Sequence, residues 1–129
     1  METPRALRAS VHPAEFAVSL DLTDAYLHVP MHRSTRRYLR FAIDGKVFAF
    51  RALPFGLNLS PWAFTRLMDA VMGLVRRQTS SEVSNYLDDI LQKNTNPEVL
   101  RTDLAVMQST LQRLGWLVNL EKSDETSSR

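Results

Sequence analysis

The chain has 129 residues, 44% hydrophobic and 23% charged, with no cysteine; this suits one globular domain and excludes a disordered chain, disulfides and thiolate metal sites. The net charge of +2 is too small to argue from, but between Ala25 and Met68 stand Arg33, Arg36, Arg37, Arg40, Lys46, Arg51 and Arg66 against the single acid Asp44. That local surplus suits a polyanion such as nucleic acid, and equally suits a solvated basic face.

In chain order, "TPRALRAS" predicts a short helix with Thr3 as N-cap and Pro4 in the first turn. "EFAVSLDL" alternates, with Phe16, Val18, Leu20 and Leu22 on one side and Ala17, Ser19 and Asp21 on the other. This is a half-buried strand whose small, polar face ends in a carboxylate. "HRSTRRY" predicts one helical turn, and "YLRFAIDGKVFAFRAL" a hairpin about the Asp44-Gly45 turn. In "SPWAFTRLMDAVMGLVRR", Ser60 as cap and Pro61 in the first turn precede an apolar stripe of Phe64, Leu67, Met68, Val71, Leu74 and Val75.

"EVSNYLDDILQ" predicts a tight hairpin with its aspartates at or beside the turn. "NPEVLRTDLAVMQSTLQRLG" predicts a second long helix, capped by Asn96, started by Pro97 and stopped by Gly115. "WLVNLEKS" reads as a last strand and its exit, and the polar tail "DETSSR" is expected to be frayed. Strands and helices mix without regular βαβ alternation, which favours an α+β sandwich with helices on one face of an antiparallel sheet. There is no basic-then-apolar leader and no run of 18 apolar residues, so an intracellular setting, cytoplasmic or nuclear and without a membrane partner, is expected.

The chemistry centres on "SNYLDDI". Strand alternation puts Ser84, Tyr86 and Asp88 on one face, and Asp21 shares its own non-core face with Ser19. If the two segments are neighbouring strands, Asp21 and Asp88 face one another. Two close carboxylates repel unless a cation sits between them or one takes up a proton. Hard oxygen donors with no cysteine and no nearby histidine point to Mg²⁺ or Mn²⁺. Asp89 points elsewhere unless the turn rotates it, which makes it the lesser ligand. A plain acidic turn is the competing reading of the tetrapeptide alone.

Four segments, "SLDLTDAY", "LPFGLNLSPWAF", "YLDD" and "LGWLVNLEKS", occur in this order. Together they resemble the palm of reverse transcriptases over residues 15 to 123. Through "DLTDAYLHVP", "RRYLRFA" and "FRALPFGL" the likeness is to DIRS-like and gypsy-like LTR retrotransposon polymerases. The resemblance implies an RRM-like palm fold and RNA-directed DNA polymerase activity, with two Mg²⁺ or Mn²⁺ ions, a dNTP, an RNA or DNA template and a DNA or RNA primer. It implies metal binding by Asp21, Asp88, Asp89 and the Leu22 carbonyl, and proton donation to pyrophosphate by Lys122. Asp24 and Ala25 would lie beneath the triphosphate, and Tyr26 beside the sugar C2′, where it would reject ribonucleotides. Pro54, Phe55 and Gly56 of "LPFGL" would line the templating base and nucleotide. Tyr86 would lean on the primer end, with Arg36, Arg37 and Arg40 on the primer and template.

By the same likeness, residues 1–14 correspond to the fingers connection, with the fingers incomplete and the thumb absent. Residues 124–129 form the tail. The expectation is therefore a palm fragment, or part of a longer polyprotein with an RNase H domain. The alternative function is a catalytically inactive truncated remnant acting as a weak nucleic-acid-binding module. A nucleotide cyclase-like palm also uses paired acids, but gives no reason for "LPFGL" or "DAY".

Overall fold

The computed structural model describes residues 4–119 and 124–128. Its elements are α1 (Pro4–Ala9), β1 (Phe16–Asp21), α2 (Arg33–Arg36), β2 (Arg40–Ile43), β3 (Lys46–Ala49), α3 (Leu59–Gln78), β4 (Glu82–Tyr86), β5 (Asp89–Asn94), α4 (Pro97–Arg113) and β6 (Asp124–Ser128), with a 3-10 turn at Ala25–His28. Strands β4, β5, β1 and β6 form one antiparallel sheet in that spatial order, while β2 and β3 form a separate two-stranded sheet. The expected α+β architecture, with helices on one face of an antiparallel sheet, is the observed one.

The alternation of β1 decides which face is core. Val18, Leu20 and Leu22 are buried with Val83 and Ile90 from the neighbouring strands, and α3 and α4 close over them. The other face carries Ser19, Asp21, Ser84, Tyr86 and Asp89 in register. Near its far end Lys93 is buried, donates to the Ser10 carbonyl at 2.7 Å, and pairs with Glu15 at 3.5 Å and Glu82 at 3.4 Å. This ties the segment after α1 to the sheet. The His12 amide, with help from Lys93, holds the Glu15 carboxyl below its ordinary range against the opposing effect of desolvation.

Helix α3 starts two residues earlier than its sequence suggests, and Ser60 is not its cap. Asn58 takes that position without a side-chain bond, and the buried Ser60 Oγ donates instead to the Pro54 carbonyl at 2.6 Å. A buried hydroxyl needs a partner, and this bond fastens the "LPFGL" loop to the helix start. The buried stripe is Phe64, Met68, Val71, Met72 and Val75. Leu67 is exposed and Leu74 only half-buried, because both lie on the margin of the stripe and Met72 lies nearer its axis. In α4 the Asn96 side chain accepts from the Glu98 and Val99 amides, Pro97 opens the helix, and Gly115 at φ +86° ends it, as expected.

The C-terminal segment departs from the sequence reading. Within "WLVNLEKS" the described residues form a single bridge, Leu22 to Val118, and Lys122 lies outside the described residues. The tail expected to fray supplies β6, paired to β1 through Ala17–Ser128 and Ser19–Asp124 with an irregularity between. The edge of β1 offers unpaired main-chain groups that any extended segment can satisfy, whatever its polarity.

Gln92 of β5 and Asp103 of α4, both buried, differ in how their polar atoms are met. Both Gln92 side-chain polar atoms are buried and have no partner among the described residues. Asp103 of α4, by contrast, has one carboxylate oxygen accepting from the Ser80 amide at 2.9 Å, the Ser81 amide at 2.7 Å and the Ser81 hydroxyl at 2.7 Å. It therefore holds the α3–β4 connection in place. Asp103→Ala orphans the two buried Ser81 donors, and urea denaturation is expected to show a loss of about 2–3 kcal/mol.

Candidate active site

The site forms where β1 ends and the β4–β5 hairpin turns. Tyr86 and Asp89 are the last paired residues of that hairpin, leaving Leu87-Asp88 as a two-residue turn. Leu87 adopts φ +51°, uncommon for a side chain bearing a Cβ. A positive φ at the first turn position matches the right-handed twist of the flanking strands, and Leu87 is also packed against the core. The turn brings the Asp88 carbonyl to accept from the Leu22 amide at 3.0 Å.

Strands β1 and β5 are neighbours, and Asp21 lies directly opposite Asp89. One carboxylate oxygen from each of Asp21, Asp88 and Asp89 lies within 4.8 Å of the others. Asp89 is thus a full member of the cluster, because the turn brings its carboxylate to the same place as the other two. Simple alternation treats residues 84 to 88 as one strand, whereas the strand stops at Tyr86 and the turn resets which side chains share a face. Asp21 is buried, Asp88 half-buried and Asp89 exposed, so the cluster opens from the sheet toward solvent. A set of three hard oxygen donors without sulfur or imidazole fits Mg²⁺ or Mn²⁺.

Beyond Asp21 the chain enters a tight turn. Asp24 sits in the left-handed region at φ 47°, ψ 46°, without a side-chain cap bond, and its carbonyl accepts from Leu27. Ala25 and Tyr26 are buried. The Tyr26 ring stacks on Phe55 at 4.9 Å and meets Phe64 at 5.2 Å. Burial first, then the charges of Asp88 and Tyr86, raise the Tyr26 phenol above its ordinary value, so it stays a neutral hydroxyl near pH 7. Phe55 is 67% exposed outside its stack with Tyr26. Pro54 is buried, and Gly56 takes φ +83° in open space, so its backbone conformation and not crowding favours glycine. Tyr86 is half-buried opposite Asp89.

Of the basic residues, Arg36 ends α2, Arg37 caps it and Arg40 opens β2. Arg36 donates through Nε to the Met31 carbonyl at 3.0 Å, the Arg37 guanidinium lies 4.8 Å over the Tyr38 ring, and Arg40 is exposed. Arg36 is therefore partly committed to holding its own turn. Sequence reasoning missed Asn119, whose Nδ2 donates to Asp21 Oδ2 at 3.4 Å. Nothing in "WLVNLEKS" singles it out until the segment is laid beside β1.

A family profile described as "Reverse transcriptase (RNA-dependent DNA polymerase)" matches residues 2–129. Protein P of duck hepatitis B virus (strain United States/DHBV-16) is 29% identical over 106 residues, covering 82% of this chain and 13% of the viral protein. The Gag-Pro-Pol polyprotein of Human T-cell leukemia virus 2 is 31% identical over 119 residues, covering 84% of this chain and 8% of the polyprotein. The native crystal structure of prototype foamy virus protease-reverse transcriptase superposes with a TM-score of 0.81 at 22% identity, over 96% of this chain and 16% of the viral one. That likeness matches the observed fold to the palm region of the viral enzyme, and this chain spans less than a fifth of the length of each of these proteins. No helix among the described residues is long and apolar enough to cross a membrane. Because the profile runs through every described element, from the N-terminal helix to the last strand, the chain belongs to the reverse transcriptase (RNA-dependent DNA polymerase) family.

Proposed function

We propose that this chain is a polymerase palm that adds deoxynucleotides from dNTPs to a primer 3′-OH on an RNA or DNA template. The observation that carries the proposal is the convergence of Asp21, Asp88 and Asp89 within 4.8 Å at the open end of the sheet. These carboxylates, with the Leu22 carbonyl, would hold two divalent ions. When bound, such ions lower the pKa of the attacking hydroxyl and stabilise the leaving phosphates. The chain's own contribution is placement: β1 fixes Asp21, and the hairpin turn fixes Asp88 and Asp89. The Tyr26–Phe55 stack forms an aromatic wall, with Tyr26 screening the sugar C2′ and Phe55 and Gly56 lining the nucleotide. Asp24 and Ala25 serve the triphosphate through main-chain N–H groups, Tyr86 supports the primer end, and Lys122 supplies a proton to pyrophosphate.

Nucleic-acid partners are supported by foamy virus protease-reverse transcriptase, solved with double-stranded DNA and with an RNA/DNA hybrid. The finer kinship with DIRS-like or gypsy-like retrotransposons rests on "DLTDAYLHVP", "RRYLRFA" and "FRALPFGL". Polyprotein relatives support a palm that works within a longer product, and an intracellular setting, cytoplasm or nucleus, is the one we propose for it.

Primer extension with Mg²⁺ tests the proposal directly. Asp88→Asn is expected to reduce extension about a thousandfold or more, because the metals contribute several kcal/mol of transition-state stabilisation; extension that survives the substitution refutes the assigned role. Tyr26→Val is expected to lower discrimination against ribonucleotides by at least about tenfold, read as the ratio of kcat/KM for dNTP and rNTP. Replacing Arg37 or Arg40 by Ala is expected to flatten the salt dependence of template binding by about 0.7–0.9 in log–log slope per arginine, measured by fluorescence anisotropy across a salt series.

A further inference from the structure

Asp21 has a neighbour on each side of β1. On one side Asp89 stands directly opposite. On the other side Leu22 bridges Val118, Thr23 donates to the Leu117 carbonyl at 2.8 Å, and the Asn119 amide donates to the Asp21 carbonyl at 2.6 Å. This short ladder places Asn119 opposite Asp21, and residues opposite one another in an antiparallel pair project to the same face. Their side chains meet there, Asn119 Nδ2 donating to Asp21 Oδ2 at 3.4 Å.

The segment that presents Asn119 is anchored independently of this contact. Trp116 is buried, its amide donates to the Leu111 carbonyl at 2.9 Å, and its ring packs on Phe64 at 5.8 Å and His28 at 4.9 Å. His28 in turn donates through Nε2 to the Thr23 carbonyl at 2.9 Å. The core therefore sets the register of Asn119, and Asn119 meets the carboxylate from a fixed position.

We infer that Asn119 is a positioning residue for the carboxylate of Asp21, an inference that rests on the metal-binding reading of the cluster. An amide suits the task for an electrostatic reason. It donates a hydrogen bond that orients the carboxylate without adding a positive charge, so the negative field remains for the cation. A lysine or arginine at the same place would compete with the metal for that carboxylate. Groups that orient metal ligands in this way typically change metal affinity by tenfold or more when removed.

The test uses the full chain and Mn²⁺ alone, with loss of the free-ion EPR signal giving the Kd. Asn119→Ala is expected to weaken Mn²⁺ binding about tenfold while its thermal melt stays close to that of the unsubstituted chain, because the main-chain bonds of residues 117–119 survive. Asn119→Gln, which keeps the amide donor, is expected to recover part of the affinity. A folded Asn119→Ala that binds Mn²⁺ as tightly as the unsubstituted chain overturns the inference and leaves the metal site standing. If the unsubstituted chain itself fails to bind Mn²⁺ in the millimolar range, the metal-site reading falls and this inference with it. A variant-free measurement covers the case in which Asn119→Ala does not fold. The side-chain amide resonances of Asn119 are expected to shift on adding Mg²⁺, and their silence while the aspartate carboxyl signals respond also overturns the inference.

Discussion

Three carboxylates within 4.8 Å of one another repel, so their own interactions cannot be what assembles them. The antiparallel pairing of β1 with β5 does so. Its register runs from Phe16–Asn94 to Asp21–Asp89, and the core-side pairs Val18–Gln92 and Leu20–Ile90 are buried beneath the helices. A slip of one residue would turn Leu20 toward solvent and Asp21 into the core, so burial of the apolar face sets the position of the charged one. The free energy that holds the acids together is thus apolar burial on the opposite face of the same strands.

The second constraint acts on the loops that border the cluster. The Ser60–Pro54 hydrogen bond fastens the "LPFGL" loop to the start of α3. Phe64, one turn further along that helix, supports Tyr26 from below while Phe55 covers it from outside. The same Phe64 touches Trp116, which anchors the segment carrying Asn119. One buried phenylalanine therefore links the aromatic wall beside the cluster to the strand-like segment behind Asp21. The left-handed turns at Asp24 and Leu87 flank the site, and each redirects the chain immediately next to a strand end.

Much of this was legible in the sequence because it depends on local pattern. Period-two alternation in "EFAVSLDL", the Asp44-Gly45 turn, and the Asn96, Pro97 and Gly115 boundary signals are interactions among residues close in the chain, and each appears as read. The readings that failed involve competition between distant groups. Ser60 was a plausible cap until a buried carbonyl six residues earlier claimed its hydroxyl. Alternation continued through residues 84 to 89 sets Asp89 apart from Asp88, but the turn at Leu87-Asp88 interrupts the strand and brings both to the cluster. The polar tail gave no local reason to be a strand, and its pairing depends on the open edge of β1.

By itself the sequence determined that Asp21 ends a strand whose other face is core, and that two more aspartates lie at a hairpin turn. It also determined, through four ordered motifs, the resemblance to a polymerase palm. Only the tertiary structure decided that all three carboxylates converge, that Asp89 rather than Asp88 stands opposite Asp21, and that Asn119 flanks Asp21 from the other side. The reason is the separation of the partners: Asp21 and Asn119 are 98 residues apart in the chain. No periodicity spans that distance, and register between remote strands is set by the core they bury together.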